Sequence, residues 1–214
     1  MTIQAEILYS LLFLSIFIVI FLIGLFKLPR LPRNTYFQMT CLFLLGWLTC
    51  DFARMMSDDI TLYNFELNLA LIFVQLAATS ILLFSISFYK LPIMPPLKIQ
   101  LLFFIVPAIT AIFTFVPAFK SLVFDFAHVP ATMAQSVSDL GPWFWIQAVY
   151  NYLLLLIAVI IVIYGHLSIP KFYRFQSTLV VFAIGLIPII HVIRFTGFLG
   201  LPEFSFALFP LSSI

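Results

Sequence analysis

Residues 7–26 read ILYSLLFLSIFIVIFLIGLF, twenty positions without a charge, closed by Lys27. A helix that crosses a bilayer needs about 20 mostly apolar residues, so this stretch is a span by itself. A cleavable signal peptide does not fit, because Thr2, Gln4 and Glu6 stand where a basic flank belongs and the apolar run is too long for a signal core.

The rest of the chain repeats the pattern. Tyr36 to about Met55, Leu67 to Tyr89, Ile99 to Phe119, Trp143 to Tyr164 and Gln176 to about Phe198 are five further apolar runs. After Gly200-Leu201-Pro202-Glu203 come only eleven residues, FSFALFPLSSI. As helix these cover about 16 Å, half of a hydrocarbon core of roughly 30 Å. The expected fold is therefore an all-α, polytopic membrane helical bundle: six complete transmembrane helices plus the first half of a seventh. Residues 1–214 form one such bundle, expected to be a fragment of a longer chain.

Composition agrees with that reading. Of 214 residues, 64% are hydrophobic and only 8% charged, with a mean hydropathy of +1.21. Soluble domains run near 45–50% apolar and about 25% charged, so a soluble enzyme and a disordered linker are both excluded. A net charge of +2 from ten scattered basic residues leaves no phosphate-tracking patch, hence no nucleic-acid partner. Cys41 and Cys50 are nine residues apart on one expected helix, about 13 Å along its axis. That is too far for a disulfide, so both are expected as buried thiols.

Basic residues set the expected orientation. Lys27, Arg30, Arg33, Lys90, Lys98, Lys171 and Arg174 fall in the loops after the first, third and fifth spans, with no acid among them. Glu6, Asp58, Asp59, Glu66, Asp125, Asp139 and Glu203 collect on the other side against Lys120 alone. The positive-inside rule then puts the N-terminus outside and any continuation after Ile214 in the cytoplasm, which makes this a multi-pass protein of the inner or plasma membrane. The first two inside loops, LPRLPR and KLPIMPPLK, are proline-rich and read as turns or extended chain. The outside loop from Lys120 to Pro142 carries Leu122, Val123, Phe124 and Phe126, too apolar for water, and is expected at the interface or folded over the bundle.

Ionisable residues inside spans suggest function by default. Asp51 and Arg54 lie about 22 and 27 Å along the second span, and His191 and Arg194 lie at the same heights along the sixth. A spacing of three puts each pair on one helix face. These four are the candidate ligand-binding residues of an outward-facing polar pocket, with Trp47, Trp143 and Trp145 as its nearby aromatics. The competing reading is that Arg side chains snorkel to headgroups and Asp51 pairs with Arg54 or Arg194. Pro107, Pro117 and Pro188 are expected to kink their helices.

Other chemistry has no support in the sequence. His128, His166 and His191 lack metal-ligand spacing, and there is no Ser-His-Asp set, glycine-rich phosphate loop or GxxxG motif. No catalytic residue, metal or cofactor is expected in this chain.

The second half resembles a known family, the seven-helix N-terminal sensor region of bacterial histidine kinases and related signalling proteins. Gly141-Pro142-Trp143-Phe144-Trp145 looks like that family's Tyr-Gly-Pro-x-Phe-Trp entry to the fifth span, and Tyr150, Tyr152 and the LLLLI run continue it. Arg174-Phe175-Gln176 is similar to its Arg-x-Gln, and Gly185, Pro188 and Pro210 also fit, whereas only Trp47 and the layout match in the first half. The family often has Asn-Pro where this chain reads Val116-Pro117, and an acid where Arg54 stands.

The resemblance implies a membrane-embedded sensory input domain that detects an extracytoplasmic or membrane-borne signal. It would relay that signal through the seventh helix to a cytoplasmic output, with histidine autophosphorylation or cyclic dinucleotide synthesis carried by a part after residue 214. Expected partners are the lipid bilayer, a small-molecule or lipid ligand and, from the resemblance alone, a second copy in a homodimer. A small-molecule transporter and a structural membrane partner subunit are the rival readings.

Overall fold

The computed structural model describes residues 15–16, 18–23, 32–56, 59–89, 96–124, 141–168, 174, 177–178, 181–182 and 184. Helices dominate throughout: α1 (Pro32–Met56), α2 (Ile60–Phe88), α3 (Leu97–Leu102), α4 (Ile105–Phe115), a 3₁₀ turn (Pro117–Leu122) and α5 (Pro142–Ser168). Residues 18–23, inside the first expected span, are helical, as are the described residues of the sixth, while the half-span after Glu203 lies outside the described residues.

Among the described residues, three helical stretches are long and apolar enough to cross a membrane: Thr61–Phe88, Leu97–Phe115 and Pro142–Ser168. They coincide with the third, fourth and fifth expected spans. The second, α1, is a helix of 25 residues but carries Arg33, Asp51 and Arg54 and is not among the three.

Helix starts depart from the sequence expectation for local reasons. Helix α1 begins at Pro32, inside the proline-rich loop. Proline at a first helical position costs nothing, since that N–H has no intrahelical acceptor and the ring presets φ. Helix α2 begins seven residues before Leu67, because Asp59 caps it: the Thr61 N–H donates to Asp59 Oδ1 at 2.8 Å. This capped extension carries Glu66 into the bundle, where it is buried beside Asn68 of the expected span.

The fourth span breaks where Pro107 requires it. Proline has no N–H for the carbonyl four residues back and its ring crowds that carbonyl, which belongs to Phe103. Helix α3 ends at Leu102 and α4 restarts at Ile105. The released Phe103 carbonyl accepts from the Tyr150 hydroxyl of α5 and from Thr79 Oγ1 of α2, the latter at 3.4 Å. A broken backbone within a lipid-spanning stretch is tolerable when neighbouring helices satisfy it in this way.

Helix α2 is the centre, packed against α1, α4 and α5. Leu44, Trp47, Leu48 and Cys50 of α1 bury against Ala70 and Ala77. At its other end Ile81, Leu82 and Ile86 meet Leu154, Leu155, Ala158 and Val162 of α5. Small residues permit the approach: a β-carbon on Gly46 would stand 2.7 Å from the Phe73 ring, and one on Gly165 would overlap the Tyr89 ring. Cys41 and Cys50 are buried free thiols, as their spacing implies. On the outside of α5, Ile146, Val149, Leu153, Ile157 and Ile160 form an exposed apolar stripe at helical spacing, the composition a lipid-facing surface needs. Of the long outside loop, Val123 and Phe124 are buried against Leu67 and Trp143, so its start folds over the bundle. Phe126 lies outside the described residues.

Candidate functional site

Polar side chains inside the bundle come from residues the sequence reading passed over. Gln75, near the middle of α2, is fully buried. Its Nε2 donates to Gln147 Oε1 of α5 at 2.5 Å and to Thr110 Oγ1 of α4 at 3.1 Å. Trp143 Nε1 donates to the same Thr110 oxygen at 2.9 Å, and the Thr110 hydroxyl donates to the Val106 carbonyl. Four side chains from three helices thus form one polar core in a protein whose surroundings are hydrocarbon. Each amide must be satisfied from within, because no solvent reaches it there.

Satisfaction is incomplete. Gln75 Oε1 and Asn68 Oδ1 are buried acceptors without a hydrogen-bond partner. Asn68, two helical turns from Gln75 towards the start of α2, donates from Nδ2 to the Thr114 carbonyl at 3.5 Å, a long and weak bond. Thr114 Oγ1 returns to the Thr110 carbonyl at 2.9 Å. A line of buried polar groups therefore runs from Asn68 through Thr114 and Thr110 to Gln75 and Gln147.

Asn68 also lines an open cleft of about 410 Å³ between the first turns of α2 and the end of α4. Thr61, Asn64, Asn68, Thr114 and Lys120 give it a polar side, while Phe65, Phe115 and Pro117 are its apolar wall. Among the described residues no carboxylate lines it.

A second polar link ties the opposite end of the bundle. Ser177 Oγ lies 2.8 Å from the Tyr89 hydroxyl and 2.9 Å from His166 Nδ1, joining the ends of α2 and α5 to the segment of the sixth expected span. The sequence places His166 at the interface, at the inner end of the fifth span, and in the structure it contacts Ser177.

Of the seven candidate residues, Trp143 belongs to the polar core. Trp47 is buried elsewhere, between α1 and α2. Trp145 is exposed, its ring edge-on to Phe144 at 5.9 Å. The structure does not bring these three together. Asp51 and Arg54 are helical in the last turns of α1, with their side chains outside the description, and His191 and Arg194 lie outside the described residues. The sequence signal for what was missed is plain in retrospect: Gln75 and Gln147 are lone amides in the apolar runs LIFVQLAA and WFWIQAVY, and an amide in a span costs enough to require partners. Among the described residues no cluster of His, Cys, Asp and Glu could hold a metal ion.

The family described as the N-terminal 7TM region of histidine kinase covers residues 11–214, nearly the whole chain. No curated protein and no solved structure matches. The match takes in the described bundle, the Trp143 entry to α5 and the first half as well as the second, which extends the resemblance read from residues 141–210. The chain belongs to the family of N-terminal seven-transmembrane regions of histidine kinases.

Proposed function

We propose that this chain is the sensory input domain of a membrane histidine kinase, detecting an extracytoplasmic or membrane-borne signal and passing it through the bundle to a cytoplasmic phosphotransfer module. The observation that carries the proposal is the polar core, which couples α2, α4 and α5 through Gln75, Thr110, Trp143 and Gln147 yet leaves Gln75 Oε1 unsatisfied. A core built only for stability is better made apolar. An amide network short of one donor has alternative pairings close in energy, which is what a two-state element requires. A signal then acts by binding one packing better than the other.

The orientation proposed is N-terminus outside, supported by the seven basic residues confined to three loops. In that orientation the cleft beside Asn68 faces outward and the Tyr89–Ser177–His166 link faces the cytoplasm. The outer pocket of Asp51, Arg54, His191 and Arg194 is proposed as a second polar patch near the outer ends of the second and sixth spans, and the working unit as a homodimer.

The test is phosphate transfer from ATP by the full-length gene product in sealed vesicles. Gln75→Leu and Thr110→Val, checked for retained helix content, change the basal rate several-fold in the kinase that carries this bundle. Identical rates in folded variants would remove the core from signalling. Substrate flux across the same vesicles, with no phosphorylation, would favour a transporter.

A further inference from the structure

Ser177 has one hydrogen to give and two neighbours that could take it. It is fully buried, and its Oγ lies 2.8 Å from the Tyr89 hydroxyl and 2.9 Å from His166 Nδ1. The three groups belong to three elements: Tyr89 caps the end of α2, His166 stands in the last turn of α5, and Ser177 lies in the segment of the sixth expected span. Both distances suit a bond in either direction. A hydroxyl donates one hydrogen and accepts through two lone pairs, while a ring nitrogen accepts when bare and donates when protonated. The direction of the whole chain is therefore set by whether His166 Nδ1 carries a proton.

With Nδ1 bare, Tyr89 donates to Ser177 and Ser177 donates to His166, so both hydroxyl hydrogens are used. A proton added at Nδ1 makes that nitrogen a donor. The Ser177 oxygen then accepts from a cation, a stronger bond than the neutral one it replaces, and the serine hydrogen turns to Tyr89. The tyrosine hydrogen is left without an acceptor inside the link. Buried Ser177 has no access to water that would make up the difference, whereas His166 and Tyr89 are half-buried. The Tyr89 ring also lies against Gly165, where a β-carbon would overlap it, so a turn of the tyrosine is felt one residue before His166.

We propose that the Tyr89–Ser177–His166 link is a proton-binding switch: protonation of His166 reverses its hydrogen bonds, tightens α5 onto the sixth-span segment and loosens the hold on α2. A histidine changes charge within about pH 5–8. The other titratable groups on the elements that meet here are Tyr89 of α2, exposed Tyr164 of α5 and exposed Arg174, one turn before Ser177. Tyr36 of α1, bonded to Gln100, and exposed Lys98 of α3 stand at the same end of the bundle, and Lys90 and Lys171 lie outside the described residues. In the proposed orientation this end faces the cytoplasm, so the ligand is the cytoplasmic proton. The switch adds an input to the sensory reading and rests on that reading for its effect on the kinase, though not for proton binding.

The test uses the full-length gene product in detergent micelles, with Cys41 and Cys50 replaced by alanine and spin labels at Leu167 of α5 and Phe182 of the sixth-span segment, both exposed. From about pH 8 to about pH 5.5, the shorter of two label distances is expected to gain about fivefold over the longer, the effect of one hydrogen bond. His166→Gln keeps a donor and an acceptor but binds no proton, and Ser177→Ala keeps the histidine but removes the shared oxygen; each should flatten the response. Arg174→Gln changes a neighbouring charge and not the link, and should keep it. Distances indifferent to pH in the wild type, or a response kept in His166→Gln or in Ser177→Ala, overturn the proposal. In sealed vesicles with the two sides held at different pH, the ratio of wild-type to His166→Gln phosphorylation rates should follow the pH of the side that holds ATP. A ratio that follows the other side also overturns the proposal. A ratio constant with pH on both sides, while the distances still respond, leaves the switch in place and sinks the sensory reading instead.

Discussion

Gln75 of α2 donates its Nε2 hydrogen to Gln147 Oε1 of α5, 72 positions away in sequence, at 2.5 Å in the middle of an apolar bundle. This bond and the Thr110 hydroxyl beside it link α2, α4 and α5 inside the bundle.

Replacing one glutamine strands the other. Gln147→Leu removes an acceptor and is expected to lower bundle stability by about 1 kcal/mol, in the range of interhelical hydrogen bonds within membranes. Replacing Gln75 and Gln147 together by leucine takes away both partners and should cost less than the sum of the single changes. Reversible unfolding in mixed detergent micelles measures all three, and strictly additive losses would mean that the two amides do not act as a pair.

The Phe103 carbonyl gives a second prediction. Tyr150→Phe leaves it with only the 3.4 Å contact from Thr79, at an expected cost of about 1 kcal/mol. In a Pro107→Ala background the amide of residue 107 supplies a new partner, so the same change should cost much less. An undiminished cost there would show that the tyrosine acts through its ring packing.

Packing at Gly46 is tight enough to be diagnostic. A side chain at 46 meets the Phe73 ring at 2.7 Å, so Gly46→Val is expected to destabilise the α1–α2 contact by about 1–3 kcal/mol, the usual cost of overpacking. Adding Phe73→Leu should restore part of it, read in the same unfolding assay.

Ser177 holds two partners at once, Tyr89 and His166. Ser177→Ala should loosen the ends of α2 and α5 together, seen as faster amide hydrogen exchange in the last turns of both helices. Gly165→Ala, which pushes the Tyr89 ring aside, is expected to give the same pattern. Faster exchange in one helix only would mean that the link is not shared.

Several features of this fold were legible before any coordinates. Runs as long and uninterrupted as 67–89 and 143–164 leave helix as the only way to satisfy a backbone in lipid, and both are helices. Pro107 forecast a disturbed fourth span, and Val123 and Phe124 were too apolar to remain in water. The start of α2 was less legible, because hydropathy alone places it at Leu67 and gives no weight to Asp59 as a cap. The polar core was invisible to a search restricted to ionisable residues: Gln75, Thr110 and Gln147 carry no charge, and their convergence depends on helix rotation that one sequence does not specify. Trp143 was chosen as a pocket aromatic, yet its use in the structure is as a hydrogen-bond donor to Thr110.

The central claim is that the bundle has two packings and that kinase output follows their ratio. Spin labels at Leu101 of α3 and Leu156 of α5, both exposed positions, in the full-length gene product with Cys41 and Cys50 replaced by alanine, report the distance between these helices in vesicles. Two distance populations are expected, with a ratio that shifts in Gln75→Leu in step with its phosphorylation rate. A single distance, unchanged in variants whose phosphorylation rates differ, would contradict the account.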